Sequence, residues 1–559
     1  MGADFVFPAM SDGRDILKKP TLDGQGLKIL VEAGLTWLKA NQQLINSLNV
    51  FPVPDGDTGT NMLLTMQAAF NEIIHSTESN IGKVAHSIAH GALMGARGNS
   101  GVILSQLWRG FARTLDNLPI MDSETLINAL VESKNTAYKG VVRPVEGTIL
   151  TVAKDIAAAA EKFRGQEFNL GAFETIIAEA EKSVENTPNL LPILKQAGVV
   201  DSGGKGLFVI LEGMLRFVKG MPLESTAVVQ PLSQMELDGA MEEVEPGQDY
   251  EIVVDFRPDT ELNMEKFYTD LSEMGTSIQV GEGDGMYRMH IHVPTDKRYQ
   301  PIEYTMSLGT VTKVAIENLI AQMEDRREKE PEKISFTPVE PGQIAVVAIS
   351  PGFGISRIFA SLGAAAVVEG GQTMNPSTEE IMHAFENLPT DQVIILPNNK
   401  NIILAAQNAA QMTVKKVAVI PTKTVPQGLN AMLRLDPDGD LQSLAKEMES
   451  SIPEVETGEI TTATRSVEIN GVDVEQGEVI ALLNGTLVAS AKDIKTACFE
   501  LLEKASTADR ERITLFYGEN YSRQEVNTLS DEIRKVYPRH EIELHEGGQP
   551  HYQLILSIE

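Results

Sequence analysis

The apolar residues of this chain change their period near residue 225, so one repeated architecture cannot accommodate the whole length. From 24 to about 220, apolar positions recur three and four apart, as in "LKILVEAGLTWLKANQQLINSL", "TLINALVESKNTAYKGV", "AFETIIAEAEKSVENTPNLLPILKQAG" and "GGKGLFVILEGMLRFVKG". That spacing lines one face of a helix, and short glycine-rich loops separate the runs, so the first domain is predicted to be all-α. A polar, acidic stretch, "STAVVQPLSQMELDGAMEEVEPGQ", follows. Beyond it "YEIVVDFRP" and "MYRMHIHVP" read as strands around a helix, "NMEKFYTDLSEMG". After a second linker, "REKEPEKISFTPVEPGQ", the runs "IAVVAIS", "QVIILPN" and "KVAVIPT" have the texture of buried parallel strands, with helices such as "NIILAAQNAAQ" between them. The tail, "ITLFYGE" to "HYQLILSIE", adds a further α/β unit. The expectation is a multidomain chain: a helical domain over 1–225, a small α+β domain over 226–335 and an α/β domain over 336–559.

Charge restricts the partners. Lys+Arg number 47 against 78 Asp+Glu, a net charge of −31, and aromatic residues are 5%. A polyanion would be repelled, and stacking platforms are scarce, so no nucleic-acid partner is expected. Phosphates remain accessible if metal ions neutralise them. The one cysteine, Cys498, allows no intrachain disulfide. The N-terminal stretch lacks the basic-then-apolar order of a signal peptide, and no apolar run reaches the length of about eighteen residues that a spanning helix needs. A cytoplasmic protein without a transmembrane segment is expected.

The stretch from Asn49 to Met62, "NVFPVPDGDTGTNM", cannot be a regular helix or strand at its centre. Pro52 and Pro54 restrict the backbone, while Gly56 and Gly59 permit sharp turns. In a folded-back loop Asp55 and Asp57 can converge, and hard carboxylate oxygens suit Mg²⁺. Thr58, Thr60 and Asn61 add hydroxyl and amide groups. The competing reading is an Asx-type turn with solvated acids. In "GALMGARGNSGVILSQ", at 91–106, Gly98, Asn99, Ser100 and Gly101 open an apolar helix and offer N–H and side-chain donors to an anion. A glycine-rich helix contact is the alternative. "RPVEGTILTV" and "AGVVDSGGKG" contribute Thr148, Asp201 and Gly203, which could line a nucleotide or serve as ordinary helix caps. His86 and His90, four apart in "VAHSIAHGALMG", read as a helix-surface pair.

Four such loops on one helical domain resemble the nucleotide-binding domain of the dihydroxyacetone kinase type, the DhaL-like fold. The family motif G-D-G-D-x-G stands here as "PDGDTG". Over nearly its full length the chain resembles the kinase subunit of bacterial fatty acid kinase. The resemblance implies an antiparallel helical barrel with nucleotide and two Mg²⁺ at one rim. It implies ATP as phosphoryl donor, Asp55 and Asp57 as catalytic Mg²⁺ ligands, and Thr58, Thr60, Asn61, Gly98, Asn99, Ser100, Gly101, Thr148, Asp201 and Gly203 around the nucleotide. Asn49 lies where sugar-kinase relatives place another carboxylate, allowing for one inserted residue. The implied acceptor is a fatty-acid carboxylate, giving an acyl phosphate for phospholipid synthesis. No tunnel for a long chain is legible in the helical domain, so a separate fatty-acid-binding protein of the DegV-like type is the implied partner. A homodimer is left open.

In "MYRMHIHVPTD" a period of two puts Arg288, His290 and His292 on one strand face. Relatives pair this motif with a cysteine on a neighbouring strand; here "QDYEIVVDF" offers Glu251 instead. A His₂Glu shell is chemically reasonable for Zn²⁺, and a solvated face or His–carboxylate pairs are the alternative. The C-terminal domain resembles the DegV-like fold without an evident lipid-binding signature and reads as a docking or assembly module. Its "PNNKNI" follows a strand, where Asn398, Asn399 and Lys400 open a helix. Two rival functions remain: a kinase of small hydroxy-ketones, and a regulator that binds nucleotide without turnover.

Overall fold

The computed structural model describes residues 21–50, 56–141, 143–166, 169–223, 230–231, 249–260, 262–283, 285–319, 334–372, 374–463, 466–469, 471–505, 507 and 510–559. Two compact units are present: Met1–Leu223 together with Ile334–Glu559, and Glu224–Lys333.

The N-terminal part of the first unit is all-α, as the periodicity predicts. Its helices are α1 (Gly24–Ala40), α2 (Gln42–Ser47), α3 (Thr58–Asn71), α4 (Ile81–Met94), α5 (Gly98–Thr114), α6 (Ser123–Gly140), α7 (Ile149–Glu161), α8 (Leu170–Leu190), α9 (Pro192–Ala197) and α10 (Ser202–Val218). Side-chain caps start many of them: Asp23, Asn80, Asp122, Asn169 and Asp201 each accept a backbone N–H from the first turn that follows. Such caps satisfy donors that a helix start leaves without internal partners. The apolar stripes meet inside, where Leu38, Ile45, Met62, Met66, Ile73, Ile81, Ile88 and Leu104 are fully buried. The packing is incomplete in one place. A cavity of about 190 Å³ lies among Leu27, Leu30, Leu104, Trp108, Phe111 and Leu130. No apolar space of this kind was legible in the sequence. Periodicity shows which face of a helix is apolar, but not whether facing side chains fill the volume between them.

The second unit carries a five-stranded sheet. Its strands are β1 (Gln230–Pro231), β2 (Tyr250–Pro258), β3 (Thr276–Gly283), β4 (Met286–Val293) and β5 (Gly309–Asn318), in the order β1-β3-β4-β2-β5. Helices Met264–Ser272 and Gln300–Leu308 accompany them, and Phe256, Phe267, Leu271, Met289 and Ile291 form the core.

The C-terminal part of the first unit is α/β. A four-stranded sheet uses β6 (Ile344–Ser350), β7 (Ala366–Glu369), β8 (Gln392–Leu396) and β9 (Lys416–Val419), in the order β7-β6-β8-β9. All its pairings are parallel. Every residue of β6 is buried, as a strand covered on both faces requires. The tail holds the α/β unit expected, with the helix Arg523–Val536 between two parallel strands. Ahead of it the alternation gives way to consecutive strands: β10 (Glu456–Thr462) comes first, and β11 (Val467–Ile469) and β12 (Val472–Val474) then pair with each other. The strands β13 (Val479–Leu483), β14 (Thr486–Ala491), β15 (Arg512–Tyr517), β16 (Glu541–Glu546) and β17 (Tyr552–Ile558) join β10 in a six-stranded sheet, β14-β13-β10-β17-β15-β16. That sheet is mostly antiparallel, and only β15 and β16 run parallel. A two-residue turn, Asn484 and Gly485, both at positive φ, joins β13 to β14; a hairpin needs no crossover helix. Cys498 is buried in the helix Ile494–Lys504, and burial pushes its thiol up to about 12. Among the described residues, no helix of the chain is long and apolar enough to cross a membrane.

Candidate functional site

The N-termini of α3, α5, α7 and α10 gather at one end of the helical domain. One hydrogen bond and two close approaches mark the gathering. Ser202, first residue of α10, donates from its hydroxyl to that of Thr58, first residue of α3, at 3.2 Å. Gly98 opens α5 with φ +56, and a Cβ added to it would lie 2.6 Å from the carboxamide nitrogen of Asn61 on α3. Gly203 of α10 faces Ile149 of α7, where an added Cβ would lie 3.4 Å away. Helix starts carry partial positive charge and free N–H groups, so four of them together favour a polyanion.

Asp57 stands at the N-cap position of α3 and is buried. Its carboxylate makes no capping bond within the helix. Oδ2 instead accepts from Nδ2 of Asn375, in the C-terminal domain, at 2.5 Å. Asn61 is buried one turn along, and Asn49 is buried where the loop begins. Gly56, at φ +67, makes the turn that its sequence position suggests. Asp55 lies outside the described residues. Hard oxygen donors at a gathering of helix starts fit a Mg²⁺–nucleotide pair.

The other predicted residues take different places. Asn99, Ser100 and Gly101 form the first turn of α5 with Gly98. Thr60 faces α2: its hydroxyl accepts from Gln42 at 2.9 Å and Asn46 at 3.1 Å, so it ties two helices together. Thr148 caps α7, its hydroxyl accepting from Leu150 N–H at 3.4 Å and donating to the Val145 carbonyl at 2.7 Å. Asp201 caps α10 through Gly204 N–H at 2.7 Å. Burial pushes its carboxyl up to about 7, against the lowering effect of the Gly204 and Ile149 N–H groups. His86 and His90 are exposed on α4 beside Asp116 and Glu72, as a helix-surface pair should be. Sequence reasoning missed Arg97, Asn375, Glu380 and Asn401, which meet at this end of the domain. Arg97 stands inside a glycine-rich loop that the sequence marks out, but nothing in "MNPS" marks Asn375.

Gly98 supplies a direct check on the loop geometry. A side chain there meets both a left-handed backbone and the Asn61 carboxamide. The backbone alone costs about 1–2 kcal/mol for a residue with a Cβ. Gly98→Ala is expected to weaken Mg-ADP binding about tenfold or more while leaving the helical circular dichroism unchanged. Titration calorimetry with Mg-ADP measures it; equal affinity would show that the start of α5 does not face the ligand.

The second cluster lies in the middle unit. Antiparallel pairing sets Glu251 of β2 opposite His292 of β4, and Val253 opposite His290. Ligand atoms of Glu251, His290 and His292 all lie within 4.8 Å of one another. His290 Nε2 stands 3.0 Å from the Glu251 carboxylate, which this contact holds below the usual carboxylate range. His290 Nδ1 is 3.0 Å from the Ser277 carbonyl. Ser277 has φ +53, where the β3–β4 register shifts between Thr276 and Gln279. This irregularity aims a carbonyl at the imidazole, the arrangement that fixes a metal-ligating histidine with Nε2 outward. The donor set fits a metal ion. Arg288, on the same face, is taken by Asp255 in a two-pronged ion pair of 2.6 and 2.7 Å.

Comparison with known proteins follows the same division. The profile of the DAK2 domain matches residues 52–216. The FakA-like profiles of fatty acid kinase match further along, the middle-domain profile over 245–326 and the C-terminal profile over 345–559. Protein YloV of Bacillus subtilis (strain 168) is 40% identical over 552 residues, spanning 96% of this chain and 99% of that protein. An uncharacterized protein of Staphylococcus aureus (strain USA300) is 39% identical over 549 residues, with coverage of 96% and 99%. Among solved structures, the DegV family protein Cg2579 from Corynebacterium glutamicum aligns at 15% identity and a TM-score of 0.30, over 38% of this chain and 96% of that one. DegV, a fatty acid binding protein from Bacillus subtilis, aligns at 15% and 0.29, over 39% and 98%. Likeness of that extent supports no conclusion about this chain. The three matched profiles, in this order along one chain, and relatives alike over almost the whole length lead to one conclusion: the chain belongs to the FakA-like family of fatty acid kinase.

Proposed function

We propose that this chain is an ATP-dependent kinase subunit that phosphorylates a fatty acid presented by a separate acyl-binding protein of the DegV-like type, giving an acyl phosphate. The observation that carries the reading is the gathering of four helix N-termini around Asp57 and Asn61. Asp57 would hold Mg²⁺, with Asp55 by the family motif. Magnesium, when bound, supplies charge neutralisation on the phosphates. The N–H groups opening α5 and α10 would receive phosphate oxygens. The acceptor carboxylate is already ionised at neutral pH, so the chain needs no general base. This agrees with His86 and His90 pairing with surface carboxylates.

The test is ATP consumption with a long-chain fatty acid and a candidate acyl-binding protein, with hydroxylamine added to trap acyl phosphate as hydroxamate. Fatty-acid-dependent hydroxamate supports the reading. Consumption with dihydroxyacetone instead, or nucleotide binding without turnover, would replace it with one of its rivals.

We also infer that Glu251, His290 and His292 hold a transition metal, with Zn²⁺ the candidate ion. A carboxylate makes the shell harder than a thiolate would and reduces selectivity for zinc. Protein purified without chelators is expected to carry about one equivalent of metal, and His292→Ala to lose most of it. Elemental analysis decides: less than about a tenth of an equivalent in the parent protein would leave a His–Glu ion pair and no metal site.

A further inference from the structure

The C-terminal domain is seated on the atoms that the nucleotide reading needs. Asn375 donates to Asp57 at 2.5 Å. Arg97, immediately before α5, gives one guanidinium N–H to the Asn375 carbonyl at 2.9 Å and another to Glu380 at 3.0 Å. Asn99, in the first turn of α5, donates to Asn401 at 2.9 Å. The backbone joins in, Thr378 N–H donating to the Ala96 carbonyl at 3.3 Å. Below these contacts Ala96 and Val102 pack into the same buried cluster as Val347, Ile349, Ile381 and Phe385 of the C-terminal domain.

We infer that this contact is an autoinhibited state, in which the loop around Asn375 and the start of the helix Thr378–Glu386 occupy the phosphate- and metal-facing groups of α3 and α5. The inference rests on the reading of those loops as the nucleotide site. Three features set the two occupants in competition. The Asn375 amide takes up part of the acceptor capacity of the Asp57 carboxylate, leaving fewer lone pairs to a cation. Asn99 and Arg97, polar groups suited to a phosphate, are spent on Asn401, Glu380 and Asn375. Glu380 brings a fixed negative charge to the place where a nucleotide would bring more. The contact is also imperfect. Asn375 is 2% exposed, yet its Oδ1 has no hydrogen-bond partner among the described residues. An unmet buried acceptor weakens the docked state and leaves it poised to open. A closed population lowers apparent affinity in proportion to the fraction that is competent. By linkage, a ligand that binds the open state, or a partner that draws the C-terminal domain away, assists the other.

The test uses the full chain and Mg-ADP. Asn375→Ala removes the donor to Asp57. Glu380→Gln keeps the N-terminal cap of its helix, since glutamine also fits that role, and removes the ion pair with Arg97. Calorimetry should show Mg-ADP bound about three- to tenfold more tightly by Asn375→Ala, and about two- to threefold more tightly by Glu380→Gln. Amide exchange over 374–386 should quicken when the parent chain is saturated with Mg-ADP. Unchanged or weaker affinity in both variants, or equal or slower exchange on saturation, overturns the inference while leaving the nucleotide site in place. Asp57→Asn separates the two ideas: if the parent chain binds no Mg-ADP, or binds it with no dependence on Asp57, the site itself is misassigned and the inference falls with it.

Discussion

Asp57→Ala is expected to abolish phosphoryl transfer, with turnover falling by about 10²-fold or more, and to leave the helical domain folded. The sequence suggests a loop carboxylate with no packing role. The structure gives Asp57 a partner in Asn375 and buries it at the start of α3. Removing it therefore has a structural cost, on the order of 1.5–3 kcal/mol for a hydrogen bond to a charged group, spent at the interdomain contact. The core of the helical domain does not depend on that bond: Met62, Met66 and Ile73 anchor α3 and the turn after it through apolar contacts. Turnover and far-ultraviolet circular dichroism should be followed together, with Asp57→Asn as the isosteric companion. Asparagine keeps the shape and loses the charge, so loss of activity in both variants with retained helicity assigns the role to the charge. Near-normal turnover in both would remove Asp57 from the chemistry. Asp55→Ala is expected to behave alike, on the strength of the shared motif.

The two halves of this site were not equally legible. Loops that open helices are written locally. Gly98 with its left-handed backbone, the caps Thr148 and Asp201 and the small residues around them all follow from rules that act within four residues, and the helix starts are where the sequence puts them. The strand period likewise placed His290 and His292 on one face with Glu251 across from them. The link from Thr60 to Gln42 and Asn46 of the preceding helix was not legible, because its neighbours in sequence are polar and glycine-rich and point to no helix contact. Asn375 and Glu380 were missed for a stronger reason. Their partners are 318 and 283 residues away, and no period or cap rule carries that distance. The mixed six-stranded sheet was hidden in the same way, since β10 pairs with β17 across almost the whole tail.

Free fatty acid is expected to be a poor substrate for the chain by itself, with acyl phosphate forming about 10²-fold or more faster when an acyl-binding partner is present. What decides this is where apolar surface lies relative to the phosphate loops. The cavity in the helical domain is apolar, but its lining on α5 is Leu104, Leu107, Trp108 and Phe111, in the middle and far half of a helix that begins at Gly98. At about 1.5 Å per residue those side chains stand roughly 9–20 Å along the axis from the N-terminus of α5. The cavity is also lined by Leu22, Met121 and Asp122, which belong to the connections at the opposite end. Its volume of about 190 Å³ is below the roughly 300–1,000 Å³ of pockets that enclose a small-molecule ligand. A chain lodged there would leave its carboxylate at the wrong end. At the right end the helix starts offer Asn61, Asn99 and Ser100, which suit phosphates and give an alkyl tail nothing to displace water from. The acyl chain must then be sheltered elsewhere and its carboxylate delivered in line, and such orientation is worth about 7–11 kcal/mol in favourable cases. Hydroxamate trapping with purified chain, ATP and free fatty acid, with and without the partner, measures the difference. Efficient acyl-phosphate formation by the chain alone would mean that this polypeptide shelters the acyl chain itself. Substitution of Leu107 by a bulkier Trp would then show whether the helical cavity is the shelter: lost activity would place the chain there, and unchanged activity would place it in another part of the molecule.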